Sequence, residues 1–213
     1  MKTQRIKPNA RIVLGAAATV VLVAAMALDT KVVKVGSSAD IQAGGFSADS
    51  YGRNEFPKVR DAIEKKAVDA VTLATAIAKD QDDAQKQYGV AADAGPEFAV
   101  KFTGKIGKKD EDSGADAVAI DGMPDTVHVM IQTGPAITGT DLRDGTGLIA
   151  FGQFSNQIDY QNAGSALNKT MKSEILSKID TASLEGKTVS VVGVFQLTDP
   201  GTWLVTPVRM DVR

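Results

Sequence analysis

Between Thr140 and Tyr160 the sequence places Arg143, Asp144, Asn156, Gln157 and Tyr160 in or beside a long glycine-rich stretch. An arginine fork grips a carboxylate through two parallel hydrogen bonds, and the amides of asparagine and glutamine both donate and accept, as sugar hydroxyls require. Long loops on a rigid frame carry binding residues more often than the frame itself. These five residues are therefore the candidate ligand- or partner-binding set. A reading without a ligand stands beside it. Arg143 and Asp144 can pin the loop to the fold, and Asn156 and Asp159 can cap the helix that follows.

Other chemistries have weaker footing. Asp110, Asp112, Ser113, Asp116 and Asp121 place oxygens at a spacing that echoes a calcium loop. The required glycine is replaced by Ala115, and strands flank the run, so a polar turn is expected and no metal. Gly145-Thr146-Gly147 lacks the lysine of a phosphate loop and the third glycine of a dinucleotide loop. Its glycines are read as turn formers. The single histidine, His128, falls on the polar side of a strand and is read as a surface residue. With no cysteine, thiol catalysis, disulfides and iron–sulfur clusters are excluded. No serine has a nucleophile elbow or a Ser-x-x-Lys pattern. The expectation is a protein that is not an enzyme and uses no cofactor.

The 213 residues are 43% hydrophobic and 23% charged, which is enough apolar material for a folded core without metals or disulfides. The net charge of −2 is spread along the chain, so no concentrated basic face is available for nucleic acid. The start of the chain differs. Lys2, Arg5, Lys7 and Arg11 precede an uncharged run from Ile12 to Leu28, which Asp29 closes. A basic flank before an apolar run marks a secretory signal or a signal anchor, with the remainder outside the cytoplasm. As a helix the run covers roughly 25 Å, near the lower limit for a membrane span. Ala25-Met26-Ala27 also fits a cleavage site. Residues 1–29 are thus read as a signal anchor or signal peptide of the bacterial inner membrane.

The elements that must position the candidate set follow from periodicity. Residues 30–95 read as an extended stalk, a glycine- and serine-rich linker over 36–50, and a helical region. Asn54 is expected to cap a helix to Ala67, with Pro57 in its first turn and Phe56, Val59 and Ile63 on its apolar face. Two shorter helices are expected from Val68 to Ala78 and from Asp82 to Tyr88, the latter stopped by Gly89. From Glu97 the period becomes two. Strands are expected at 97–106, 115–121 and 126–132, then a helix over Tyr160–Ile179, then strands at 187–197 and 203–212. In the last strand Leu204, Val208, Met210 and Val212 share the inward face of the alternation. Three strands, a helix and two strands is the element order of an oligonucleotide/oligosaccharide-binding (OB) barrel. The fold class is therefore α+β: an N-terminal membrane helix, a short helical region, then an OB-like five-stranded barrel over residues 96–213.

The segment GPAITGTDLRDGTGLIAFGQFSNQIDYQNAGSALN over 134–168 is the most distinctive text in the chain. Together with LDTKVVKVGS after the leader, GKTVSVVGVF over 186–195 and WLVTPVRMDV near the end, it resembles a bacterial family of predicted periplasmic lipoproteins, domain of unknown function 2291. The resemblance covers nearly the whole chain. It implies an envelope location and association with sugar ABC-transport systems, but no activity and no functional residues. This chain departs from the lipoprotein pattern in having no cysteine to carry a lipid. The expected function is a membrane-tethered, non-catalytic binding accessory of a solute-uptake system. ABC-transporter subunits or a small polar ligand would be its partner, the membrane its support, and nucleic acid no part of its binding. The alternatives are a structural or assembly factor of the envelope and, third, a hydrolase.

Overall fold

The computed structural model describes residues 46–92 and 94–213. The leader and the stalk lie outside the described residues. Among the described residues no helix is long and apolar enough to cross a membrane. Phe46–Arg213 forms one compact unit.

Helix α1 runs Ala48–Lys66 and buries Gly52, Phe56, Val59 and Ile63 on one face. It begins six residues before Asn54, in what composition alone marks as linker, and Pro57 consequently lies in its interior. The reason is tertiary. A Cβ on Gly52 would come within 2.4 Å of Thr170 Oγ1 and 2.6 Å of the Ala166 carbonyl oxygen, so the glycine marks a close helix crossing rather than a flexible joint. Strand β1, Val68–Asp69, leads into helix α2, Ala70–Lys79, where the Asp69 carboxylate accepts from the Val71 and Thr72 amides. Helix α3, Gln81–Tyr88, starts at Asp80, whose side chain accepts from Asp83 N. The acidic cluster here is a helix start, where negative charge suits the dipole. Gly89 ends α3 but at φ −86°, an ordinary conformation. Its small size matters instead, since a Cβ there would sit 2.8 Å from the Gln85 carbonyl oxygen. It opens strand β2, Gly89–Val90.

Five longer strands follow: β3 (Glu97–Lys109), β4 (Asp116–Ala119), β5 (His128–Ile131), β6 (Thr188–Gln196) and β7 (Thr202–Val212). β3 pairs antiparallel with β4, and β4 with β5. β5 pairs parallel with β7, β7 antiparallel with β6, and β6 antiparallel with β3. The pairings return to their starting strand, so the five form a closed circuit. β1 and β2 add short pairings to β3. Phe98, Phe195 and Trp203 stack through the middle, with centroid separations of 5.9 Å and 4.6 Å.

The last strand departs from simple alternation. Trp203 and Val205 are buried, Leu204 is only half-buried, and Val208 and Met210 are buried again. Val192 pairs with Arg209 and Gly193 with Pro207, leaving Val208 as an extra residue. Such a bulge shifts the parity of the strand. Pro207 is tolerated there because a bulge spares one ladder hydrogen bond. Gly193 is required because a Cβ would meet Val205 at 2.5 Å and the Thr206 carbonyl oxygen at 2.6 Å. The inward placement expected for Leu204 is therefore replaced by that of Trp203 and Val205.

The connection from β5 to β6 contains helix α4 (Asp141–Asp144), a 3-10 turn (Phe151–Gln153), helix α5 (Gln157–Glu174) and a second 3-10 turn (Leu176–Lys178). α5 ends five residues before Ile179. Ala163, Leu167 and Met171 form its buried stripe and Tyr160 lies at its rim. α1 packs along α5, and the helices share one apolar core with the strands.

Candidate functional site

The connection from β5 to α5 divides into a buried base and an exposed tip. At the base, Arg143 turns its fork on its neighbour. Nε donates to Asp144 Oδ1 at 2.7 Å and Nη2 to Asp144 Oδ2 at 2.9 Å. Thr140 Oγ1 and Tyr160 OH donate to the same carboxylate at 2.6 and 3.2 Å. Four donors on one carboxylate use its acceptor positions. Arg143 Nη1 donates to the Tyr160 carbonyl at 3.2 Å, and the guanidinium lies 3.7 Å from the centroid of the Tyr160 ring. Burial opposes the charge on Arg143, but the hydrogen bonds and charge of Asp144 outweigh it and hold its pKa above the usual range.

Three of the five sequence-predicted residues, Arg143, Asp144 and Tyr160, thus meet in one cluster. Asn156 does not join it. Its Oδ1 accepts from Asp159 N at 2.9 Å and its Nδ2 donates to Asp159 Oδ2 at 2.9 Å, so it caps α5. Gln157 is exposed in the first turn of that helix.

Several buried polar groups around the base have no local sequence signal. Gln132 donates to Thr206 Oγ1 at 2.8 Å and to the Thr138 carbonyl at 3.1 Å, while Thr206 donates to Asp141 Oδ2 at 2.7 Å. Burial raises Asp141 to about 6, against the hydrogen bond from Thr206. Glu97, at the start of β3, is fully buried. Its Oε1 accepts from Gln196 Nε2 at 3.4 Å and its Oε2 has no partner. Burial, then the charges of Asp141 and Asp144, raise it to about 8. Both causes favour the neutral, protonated form of Glu97. In the sequence it is merely the polar residue that opens an alternating strand.

Perturbed carboxyls of this kind are what acid–base catalysis exploits. A catalytic group must also reach a substrate. Neither Glu97 nor Asp141 lines any of four surface clefts of 370–600 Å³. Of the other candidates, Asp110 holds a turn, its Oδ1 accepting from Ser113 N and Ser113 Oγ at 2.7 Å each. Asp116 is buried and paired to Lys109 Nζ at 2.8 Å. Among the described residues no group of three acidic or histidine side chains is placed to hold a metal ion. Gly147 has φ +71° and turns the chain; Gly145 lies against Val194, where a Cβ would approach to 2.4 Å.

Two open features remain. One is a groove of about 590 Å³ over β4 and β5, lined by Ala117, Ile120, Met123, Val127, His128 and Met130 among others. The other is the tip, where Leu148, Phe151 and Ile158 are 55%, 49% and 69% exposed. They are the exposed large hydrophobic residues of the described chain. Their only sequence signal is a cluster of apolar residues without period in a glycine-rich stretch.

A crystal structure of an OB-fold protein from Thermotoga maritima matches this chain with a TM-score of 0.63 at 19% identity, covering 79% of this chain and 99% of the other. At that identity the likeness concerns the fold alone. No curated protein matches. The sequence profile of a family described as predicted periplasmic lipoprotein, domain of unknown function 2291, matches residues 16–211. With nearly its whole length matched, the chain belongs to that family of predicted periplasmic lipoproteins.

Proposed function

We propose that the protein is a non-catalytic binding accessory of a solute-uptake system, an OB-type barrel held on the periplasmic side of the inner membrane by Ile12–Leu28 as a signal anchor. The observation that carries the reading is the groove over β4 and β5. In the closed circuit these are the second and third strands, and OB barrels bind on that face. β4 and β5 pair with each other there, and Met130 points outward from β5 beside Met123. Both methionines are half-buried, and methionines lining a groove adapt to irregular partner surfaces.

The occupant proposed is a protein, a subunit of a sugar ABC transporter, rather than a free sugar. The lining is largely apolar, with Asp125 and His128 as its ionisable groups. A sugar site would need convergent amides and carboxylates, and the Arg143–Asp144 pair is bonded within itself. A basic flank with an anchor in place of a lipidated cysteine fits a protein that acts at the membrane.

The test is a mild-detergent pull-down of the full-length protein from its native membrane, followed by mass spectrometry. Transporter subunits should be recovered with the wild type and lost with Met130→Glu, at unchanged melting temperature. Recovery of general envelope proteins alone would favour an assembly factor and sink the uptake reading.

A further inference from the structure

The tip of the β5–α5 connection has a composition and a position that the groove does not explain. Residues 145–158, GTGLIAFGQFSNQI, contain no charged side chain. Within them Leu148, Phe151 and Ile158 face solvent. The 3-10 turn carrying Phe151 is open to solvent at Gly152, where an added Cβ would meet nothing within 4 Å. Behind the tip stands a column of rings. Phe151 lies edge-on to Tyr160 at 5.6 Å, Tyr160 is 5.4 Å from Phe154, and Phe154 is 5.7 Å from Phe46. The base holds this column, because Arg143 binds both the ring face and the carbonyl of Tyr160.

Phe46 is where the chain enters the described domain. The apolar run ends at Leu28, and residues 29–45 make up the connection. Seventeen residues reach at most about 60 Å. Along the chain, Phe46 therefore stands no further than about that length from the end of the apolar run. A surface of exposed aliphatic and aromatic side chains with one cation beside it, Lys66 donating to the Thr146 carbonyl at 3.1 Å, has the chemistry of the bilayer interface, where apolar groups enter by about 5–10 Å. Amides suit the headgroup level, and Gln157 is exposed next to Ile158, while Gln153 donates to the Leu148 carbonyl and Asn156 caps α5.

We propose that Leu148, Phe151 and Ile158 seat in the interfacial layer of the bilayer to which the leader tethers the chain, and so fix the orientation of the domain on the membrane. The inference rests on the tethered reading and is independent of the β4–β5 groove. Such seating presents the domain in one attitude rather than leaving it to swing on its connection.

The chain has no cysteine, so single reporters can be placed without background. Full-length Phe151→Cys and Ile158→Cys carry an environment-sensitive fluorophore, with Glu111→Cys, beyond the far end of β3, as control. The proteins are reconstituted in phosphatidylethanolamine–phosphatidylglycerol vesicles with nitroxide-labelled lipid. The expected result is about twofold or greater quenching at 151 and 158 and none at 111. If the protein sediments with the vesicles but the tip reporters are quenched by aqueous iodide like the control, the tether stands and the seating is wrong. Reporters shielded from both quenchers would assign the tip to a protein contact and overturn the proposal. Failure to sediment would overturn the tether and the seating together.

Discussion

The two halves of one connection use their residues in opposite ways. Over 140–145 the chain is rich in groups able to bind ligands, and the fold turns them on one another: Arg143 on Asp144, Thr140 on Asp144, Asp141 on Thr206. Over 146–158 the chain carries apolar residues with no evident chemistry, and the fold leaves three of them in solvent. The difference teaches that a polar motif marks a site only if its hydrogen-bonding capacity faces outward. A buried pair must satisfy itself, because each unpaired charge costs several kcal/mol. Exposed apolar side chains have no such constraint and remain free to meet another surface.

The comparison is most exposed to failure at Arg143. Replacing Arg143 by Ala strands a carboxylate that is 13% exposed, and stability should fall by about 3–5 kcal/mol in chemical denaturation. Arg143→Lys should recover part of this, because the charge returns without the fork. A loss under 1 kcal/mol for the alanine variant would mean the pair is not the anchor of the connection. Next comes the crossing that supports it. Gly52→Val places side-chain atoms against Ala166 and Thr170, and a loss of about 1–3 kcal/mol is expected from the denaturation midpoint.

Glu97 gives a pH signature. Its folded pKa of about 8 lies above the ordinary 4.5, so the folded state holds a proton that the unfolded chain releases between those values. The contribution is full below the ordinary pKa and is lost as pH rises through the folded one. Melting temperature should therefore decline from pH 5 to pH 8, and Glu97→Gln should reduce that decline, leaving the part that Asp141 contributes below about pH 6, with a gain of up to about 4 kcal/mol at pH 8. An unchanged slope in the variant would remove Glu97 as its source. The smallest effect belongs to the tip. Phe151→Ser and Ile158→Ser should each alter stability by less than about 0.5 kcal/mol, since neither side chain is buried. A larger loss would place the tip in the core and erase the contrast.

Much of the architecture was legible in the residues. Alternation from Phe98 to Ile106 located β3, and the spacing of Ala163, Leu167 and Met171 located α5. Asn156 follows the reading without a ligand and caps α5, and α3 starts at an acidic cluster. The departures have specific causes. The start of α1, ahead of Asn54, was hidden because Gly52 serves a helix crossing that only α5 creates. Leu204 was misplaced because the bulge at Val208 depends on Gly193 in another strand. The partnership of Arg143 with Asp144 and Tyr160 was open to both readings, since adjacent residues reveal nothing about which way a short helix turns them. Glu97 carried no signal at all, because its environment is assembled from β6 and α4.

What the chain alone determined is what depends on local order: periodic strands, the amphipathic stripe of α5, helix starts, the absence of thiol chemistry, and an apolar leader behind a basic flank. These follow from backbone geometry and composition, which neighbours in sequence set. Only the tertiary structure decided which polar groups face inward and which apolar groups face out. Burial is a property of the packing of segments far apart in sequence, and it is burial that raises Glu97, closes Arg143 on Asp144 and leaves Phe151 in solvent.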